Sequence, residues 1–213
     1  MPAKQKAVAA EQKGLVIPAL NIGLARFDIE GLTPMILHGR GPHIIQKKQG
    51  GVGPVKNVIP TVEEMFRRAI DPYLAPGSTK NKPKIRVPAV WFKEMLVHVV
   101  GRHTQSIKLN TAGGVFQIME DWVPLKHSKV YPRKDLASVP PKSNKLVQIC
   151  RGQIDKWSCS FTVRYNMGFL DETGLATLVE TAGFANGLGD WRPQKDGTYG
   201  QFQLKRHAKR RSA

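Results

Sequence analysis

Short apolar segments, some alternating and some at helical spacing, are separated along this chain by long runs rich in glycine, proline and lysine. Residues 24–30 read Leu-Ala-Arg-Phe-Asp-Ile-Glu, and Leu24, Ala25, Phe27 and Ile29 give them the character of a first strand that stops at Gly31. From 31 to 60 the glycines Gly39, Gly41, Gly50, Gly51 and Gly53 interrupt any regular element, so this stretch is expected to be a long functional loop or flap. Thr61 and Glu64 have capping-box spacing, which predicts a helix from there to about Ile70, stopped by Asp71-Pro72. A Lys- and Pro-rich connector follows. Pro88 then suits the first position of a second helix that runs through Trp91, Met95, Leu96 and Val99 to about Gly101.

Residues 115–119, 145–151 and 157–164 are short, β-branched or aromatic, and bounded by turn formers, so they are expected to be strands. The cationic stretch 126–142 between them is expected to be a loop. Asp171 can cap a last helix with Leu175, Leu178, Val179 and Ala182 on one face and Gly183 at its exit, and 201–204 closes the order as a strand. The sum is an α+β protein with an enlarged ferredoxin-like antiparallel sheet, helices on one face and long inserted loops. It divides into a basic arm over 1–20, one domain over 21–204 and a basic tail over 205–213.

Charge narrows the function. Among 213 residues there are 33 Lys and Arg against 16 Asp and Glu, a formal net charge of +17, while 41% apolar residues suffice for a core. No acid occurs in 31–62, 72–93 or 95–119. Such an excess calls for a polyanionic partner, most commonly a nucleic acid. The two cysteines, Cys150 and Cys159, have no zinc or redox spacing and fit a reducing cytoplasm. The longest apolar runs, 15–20 and 95–100, are far short of the roughly 20 residues that cross a bilayer, so no membrane association is expected.

The best-marked site is the loop from Gly187 to Gly200. Gly187, Gly189, Gly197 and Gly200 let backbone amides approach phosphate oxygens, Arg192 and Lys195 supply charge, and Trp191 and Tyr199 offer faces to bases. The alternative is a structural hairpin in which Trp191 is a core anchor and Arg192 pairs with Asp190 or Asp196. A second cationic element, His38, Arg40, His43, Lys47, Lys48 and Lys56, lies on the acid-free flap, and a third, beginning at Lys205 and Arg206, lies on the tail.

An order of strands and helices that ends in a glycine-rich loop before the last strand resembles the RAMP superfamily, the RNA-binding subunits of CRISPR effector complexes. The resemblance is one of architecture and loop position over about 24–204. Together with Ile29-Glu30-Gly31-Leu32-Thr33-Pro34-Met35-Ile36-Leu37-His38, the loop also resembles a group of uncharacterised phage-type proteins. Membership of the RAMP group implies a single strand held along a groove by repeated copies.

An enzyme is not expected. The six histidines lack metal spacing, no cofactor motif is present, and carboxylates are too scarce for a two-metal nuclease centre. The leading expectation is a sequence-tolerant binder of single-stranded RNA or DNA that acts as a homo-oligomer or as a subunit of a larger nucleoprotein complex. The alternatives are a virion or scaffold protein with a basic surface, and a metal-independent ribonuclease using His38 or His43.

Overall fold

The computed structural model describes residues 20–39, 60–103, 109–138 and 146–205. These form ten strands and four α-helices, a mixed α+β architecture with antiparallel sheets. In chain order they are β1 (Ile22–Gly31), β2 (Met35–Leu37), α1 (Val62–Ile70), β3 (Arg86–Pro88), α2 (Val90–His103), α3 (Leu109–Val115), β4 (Phe116–Ile118), β5 (Trp122–Pro124), β6 (Lys126–His127), β7 (Val130–Ser138), β8 (Leu146–Ile154), β9 (Trp157–Asn166), α4 (Glu172–Ala185) and β10 (Phe202–Leu204).

The larger sheet runs β10-β1-β9-β4, with β6 also paired to β9, and every pairing in it is antiparallel. Side chains alternate across a strand, so the register Ala25 to Val163, Phe27 to Phe161 and Ile29 to Cys159 puts these six residues on one face, and all six are buried. Helices α2 and α4 pack against each other and cover that face. Phe161 is its centre, with ring centroids 4.5 Å from Phe92 of α2 and 5.9 Å from Phe27. The opposite face carries Arg26, Asp28, Ser160, Thr162, Arg164 and Gln117, and among the described strand residues it has no aromatic ring on which a base could stack.

The smaller sheet, β2-β8-β7, also has two unlike faces. Met35, Leu37, Ile154, Gly152 and Val130 share the inner face, where Ile70 of α1 lies so close to Gly152 that a Cβ there would meet its methyl at 2.5 Å. Ile36, Gln153, Tyr131, Arg151, Arg133 and Asp135 share the outer face.

Four expectations are corrected. Residues 31–39 are not flap: Met35, Ile36 and Leu37 are fully buried as the edge strand β2, because β8 offers them a ladder, Met35 and Leu37 face the core, and Gly189 and Asp190 close against Ile36 on the other face. Residues 126–138 are not a loop: β6 and the nine-residue β7 occupy them, and Pro132 is tolerated because β7 is an edge strand. Pro88 ends β3, and the second helix starts at Val90 after Ala89, whose carbonyl accepts from Phe92 and Lys93 and whose N–H is held by Asp121. The last helix does not leave at Gly183 but continues to Ala185, and Gly187, at φ 67°, makes the left-handed exit. Helix α3, with its Gly113-Gly114 pair, had no periodic signal. The capping box at Thr61 and Glu64 and the Asp171 cap form as expected.

Candidate nucleic-acid interface

The glycine-rich loop is fastened to the rest of the molecule by its own backbone. Asp190 N–H donates to the Ile36 carbonyl (2.8 Å), Gly200 N–H to Pro34 (2.8 Å), and Leu188 N–H to the Gly200 carbonyl (2.9 Å). Inside it, Tyr199 N–H donates to the Trp191 carbonyl and Gly197 N–H to that of Arg192. A Cβ at Gly197 would run into the Trp191 carbonyl, so this glycine is required by close packing of the loop on itself rather than by a ligand. Trp191 has a positive φ of 51°, a costly geometry for an aromatic residue that persists only where the surroundings hold it.

What holds it is the outer face of β7 and β8. The Arg151 guanidinium, whose side chain is only 7% exposed, sits 4.5 Å over the Trp191 ring. Its Nη1 donates to Asp135 at 3.0 Å, and its Nε lies 2.9 Å from an Asp190 oxygen without pointing its hydrogen at it, so that contact is Coulombic rather than a hydrogen bond. Arg133 stands 4.7 Å from the Tyr199 ring and 5.3 Å from Trp191, donates to the Tyr199 hydroxyl (2.5 Å) and Gln153, and pairs with Asp135 at 2.9 Å. Tyr131, Gln153 and Asp155 extend the network along the same face. His38 Nδ1 is 3.4 Å from Asp190, and that hydrogen bond, with the Arg151 charge behind it, holds the Asp190 carboxyl below the usual carboxylate range.

The structure therefore brings His38, Gly187, Gly189, Trp191, Arg192, Lys195, Gly197, Tyr199 and Gly200 together, but as a clasp. Both aromatic rings already carry a guanidinium of the chain itself. Arg192 pairs with neither Asp190 nor Asp196; it donates to the Gly189 carbonyl and to Gln194, both at 2.9 Å. Lys195 and Lys205 are exposed. Arg40, His43, Lys47, Lys48, Lys56 and Arg206 lie outside the described residues. Arg133 and Arg151 belong to no loop or motif; the signal that could have found them is the period-two spacing of Tyr131, Arg133 and Asp135 and of Arg151 and Gln153, which puts each set on one strand face.

On the far side of the small sheet, α1, the connector 74–84 and the segment 125–130 enclose a cleft of about 830 Å³. No motif in the sequence marks it. His127 at its edge is held at both ring nitrogens: Nε2 accepts from Ile85 N–H (3.3 Å) and Nδ1 lies 2.7 Å from the Ser128 carbonyl. Among the described residues no group of three or more His, Cys, Asp or Glu could hold a metal, and no helix is long and apolar enough to cross a membrane. Both cysteines are buried, and burial pushes their thiols up.

No protein-family model and no curated protein matches the sequence. Among solved structures the chain is similar to a protein of the type III-B Cmr-beta complex bound to cognate target RNA, with 11% identity and a TM-score of 0.41 over 85% of this chain and 59% of that one. It is similar also to Cmr6 from Pyrococcus furiosus (10% identity, TM-score 0.38, 88% of this chain and all of that one) and to a protein of a CRISPR RNA-guided surveillance complex (13%, 0.32, 84% and 66%). This chain thus spans 59% of the length of the first of them.

Proposed function

We propose that this protein binds single-stranded nucleic acid with little regard to sequence. The observation that carries the proposal is how the scarce carboxylates are placed in a chain of net charge +17. Glu64 and Asp171 cap helices, Asp135 and Asp190 hold the buried Arg151, Asp155 accepts from Tyr131, Glu30 from Gln203, and Glu120 from the backbone of Thr162. Lys82, Lys84, Lys126, Lys129, Lys134, Lys156, Lys195 and Lys205 meanwhile stand exposed. An excess of surface ammonium groups suits phosphates, which such groups hold without reading bases. The exposed positions of α4 are Glu172, Thr173, Thr177, Glu180 and Phe184, and those of α1 include Glu63 and Glu64, so neither is a basic helix fitted to a duplex major groove.

The sheet order β10-β1-β9-β4, with α2 between β1 and β4 and α4 between β9 and β10, supports the ferredoxin-like interpretation, in which two β-α-β units interleave. In this proposal the ligand is RNA or DNA, and several copies assemble along it within a larger cytoplasmic nucleoprotein complex, without catalysis.

Anisotropy of labelled single- and double-stranded RNA and DNA across a salt series tests it. Single strands should bind better than duplexes, and log affinity should fall by roughly 0.7 per phosphate contact for each tenfold rise in salt. Salt-independent binding would remove the electrostatic basis, equal affinity for duplex would favour mere charge neutralisation, and a cleaved oligonucleotide without added metal would indicate a ribonuclease.

A further inference from the structure

The cleft between α1, the connector 74–84 and the segment 125–130 combines two unlike surfaces. Its floor is apolar, built by Phe66 and Ile70 of α1 with Leu74, Leu125 and Val130. Its rim is cationic: Arg67, Lys80, Lys82, Lys84 and Lys129 line it against two carboxylates, Glu63, which is already paired with Lys80 at 3.1 Å, and Asp71. The volume of about 830 Å³ is of the size that takes a small organic molecule or one part of a larger one.

The rim is built in advance. Ala75 N–H donates to the Lys84 carbonyl, Thr79 and Lys82 exchange backbone hydrogen bonds, and Lys84 N–H donates to the Ser78 hydroxyl, so three lysines are carried on a turn that has little freedom left to lose on binding. On the other wall, Ser128 and Lys156 exchange hydrogen bonds and His127 is pinned on both ring nitrogens, so the backbone that carries Lys129 is held just before it.

A plain phosphate would find the ammonium groups without needing the apolar floor, and an apolar ligand would find the floor without needing the lysines. Of the common biological anions, a nucleotide satisfies both, with its base laid on Phe66 and its neighbours and its phosphates on the rim. The chain's own acid-free stretch 40–59 bears only positive charge and does not complement such a rim.

Resting on the strand-binding function above, we infer that this cleft receives an unstacked nucleotide of the bound single strand, with Lys82, Lys84 and Lys129 on the flanking phosphates. The site lies on the opposite face of the β2-β8-β7 sheet from the glycine-rich clasp. A base in a Watson–Crick duplex is stacked and cannot enter, so the cleft selects single strands through the cost of unstacking.

Photocrosslinking of a short single-stranded oligonucleotide carrying 4-thiouracil to the full chain, with the adducts mapped by mass spectrometry, tests this directly. Adducts are expected on Phe66, Leu74, Leu125 or His127. The double variant Lys82→Glu/Lys84→Glu should lose those adducts, weaken binding at low salt at least tenfold and lower the salt slope by about 1.4, two contacts' worth, with circular dichroism and melting unchanged because both side chains are exposed. An oligonucleotide that binds normally but crosslinks only elsewhere, or binds the double variant as well as the parent, overturns the cleft and leaves strand binding standing. No binding of any oligonucleotide overturns both. Crosslinking of 4-thiouridine monophosphate to the cleft as efficient as that of the strand would make the occupant a free nucleotide and overturn the assignment to a strand.

Discussion

Replacing Arg151 by Met should destabilise the protein by about 3–5 kcal/mol, the range for removing one partner of a buried ion pair. The side chain is 7% exposed and faces two carboxylates, Asp135 at 3.0 Å and Asp190 at 2.9 Å. With charge centres about 4 Å apart and an effective dielectric of about 20, each attraction is about 4 kcal/mol, and withdrawal of the guanidinium from water offsets most of the sum. Methionine keeps the apolar stem but not the charge, so Arg133 alone is left to compensate Asp135, and Asp190 keeps only His38. The ring of Trp191 also loses its cation. Urea unfolding of the single variants, of Asp190→Asn and of the double variant gives the coupling. In the parent, Asp190→Asn removes half of the counter-charge of a buried cation and should be costly; in the Arg151→Met background it removes a carboxylate left with His38 alone and should be close to neutral. A coupling of at least about 1 kcal/mol is expected. If Arg151→Met costs under about 1 kcal/mol, or the two changes add within about 0.5 kcal/mol, the clasp is not held by this cluster and the loop is free to serve a ligand.

Tyr199→Ala should cost about 2 kcal/mol in thermal unfolding, since it removes a hydrogen bond from a charged donor and a ring beneath a guanidinium, while Tyr199→Phe should cost clearly less; equal losses would mean that the hydroxyl contributes nothing. Arg192→Ala, which loses two hydrogen bonds at the half-buried loop base, should cost about 1 kcal/mol, and no loss would return Arg192 to the ligand-facing side. The depressed Asp190 carboxyl contributes stability that is fully present above the ordinary value of 3.8 and is lost as pH falls through the lower folded value. Trp191 fluorescence, taken as the difference between parent and Trp191→Phe, should therefore stay constant from neutrality down to about pH 4 and change below it; an identical acid transition in Asp190→Asn would exclude that residue as the cause. Cys150 and Cys159 should resist alkylation in native protein at neutral pH and react on denaturation, and rapid labelling of folded protein would contradict their burial.

Local signals were legible in the amino-acid order wherever a few neighbouring residues decide the outcome. The Thr61 capping box, the Asp171 cap, the alternation of β1 and the apolar face of α4 are each fixed by contacts within one turn or by one strand face, and the net charge of +17 is read from composition alone. Long-range pairing decided the rest. Residues 35–37 read as part of a glycine-rich loop until β8 supplies their ladder, and 130–138 read as a cationic loop because the ladder to β8 is out of sight in the sequence, as are the partners that Asp135 finds on Arg151 and Arg133 on Tyr199 beyond their own pair. The glycine-rich loop was visible as a motif, but what its aromatics touch was not, since the guanidiniums that occupy them come from strands some 40 to 65 residues away in sequence. The cationic cleft lay outside what the sequence could announce for the same reason: Arg67, Lys82 and Lys129 belong to three separate segments, and only the packing of α1 and the connector beside β6 and β7 turns scattered charges and scattered apolar residues into one surface.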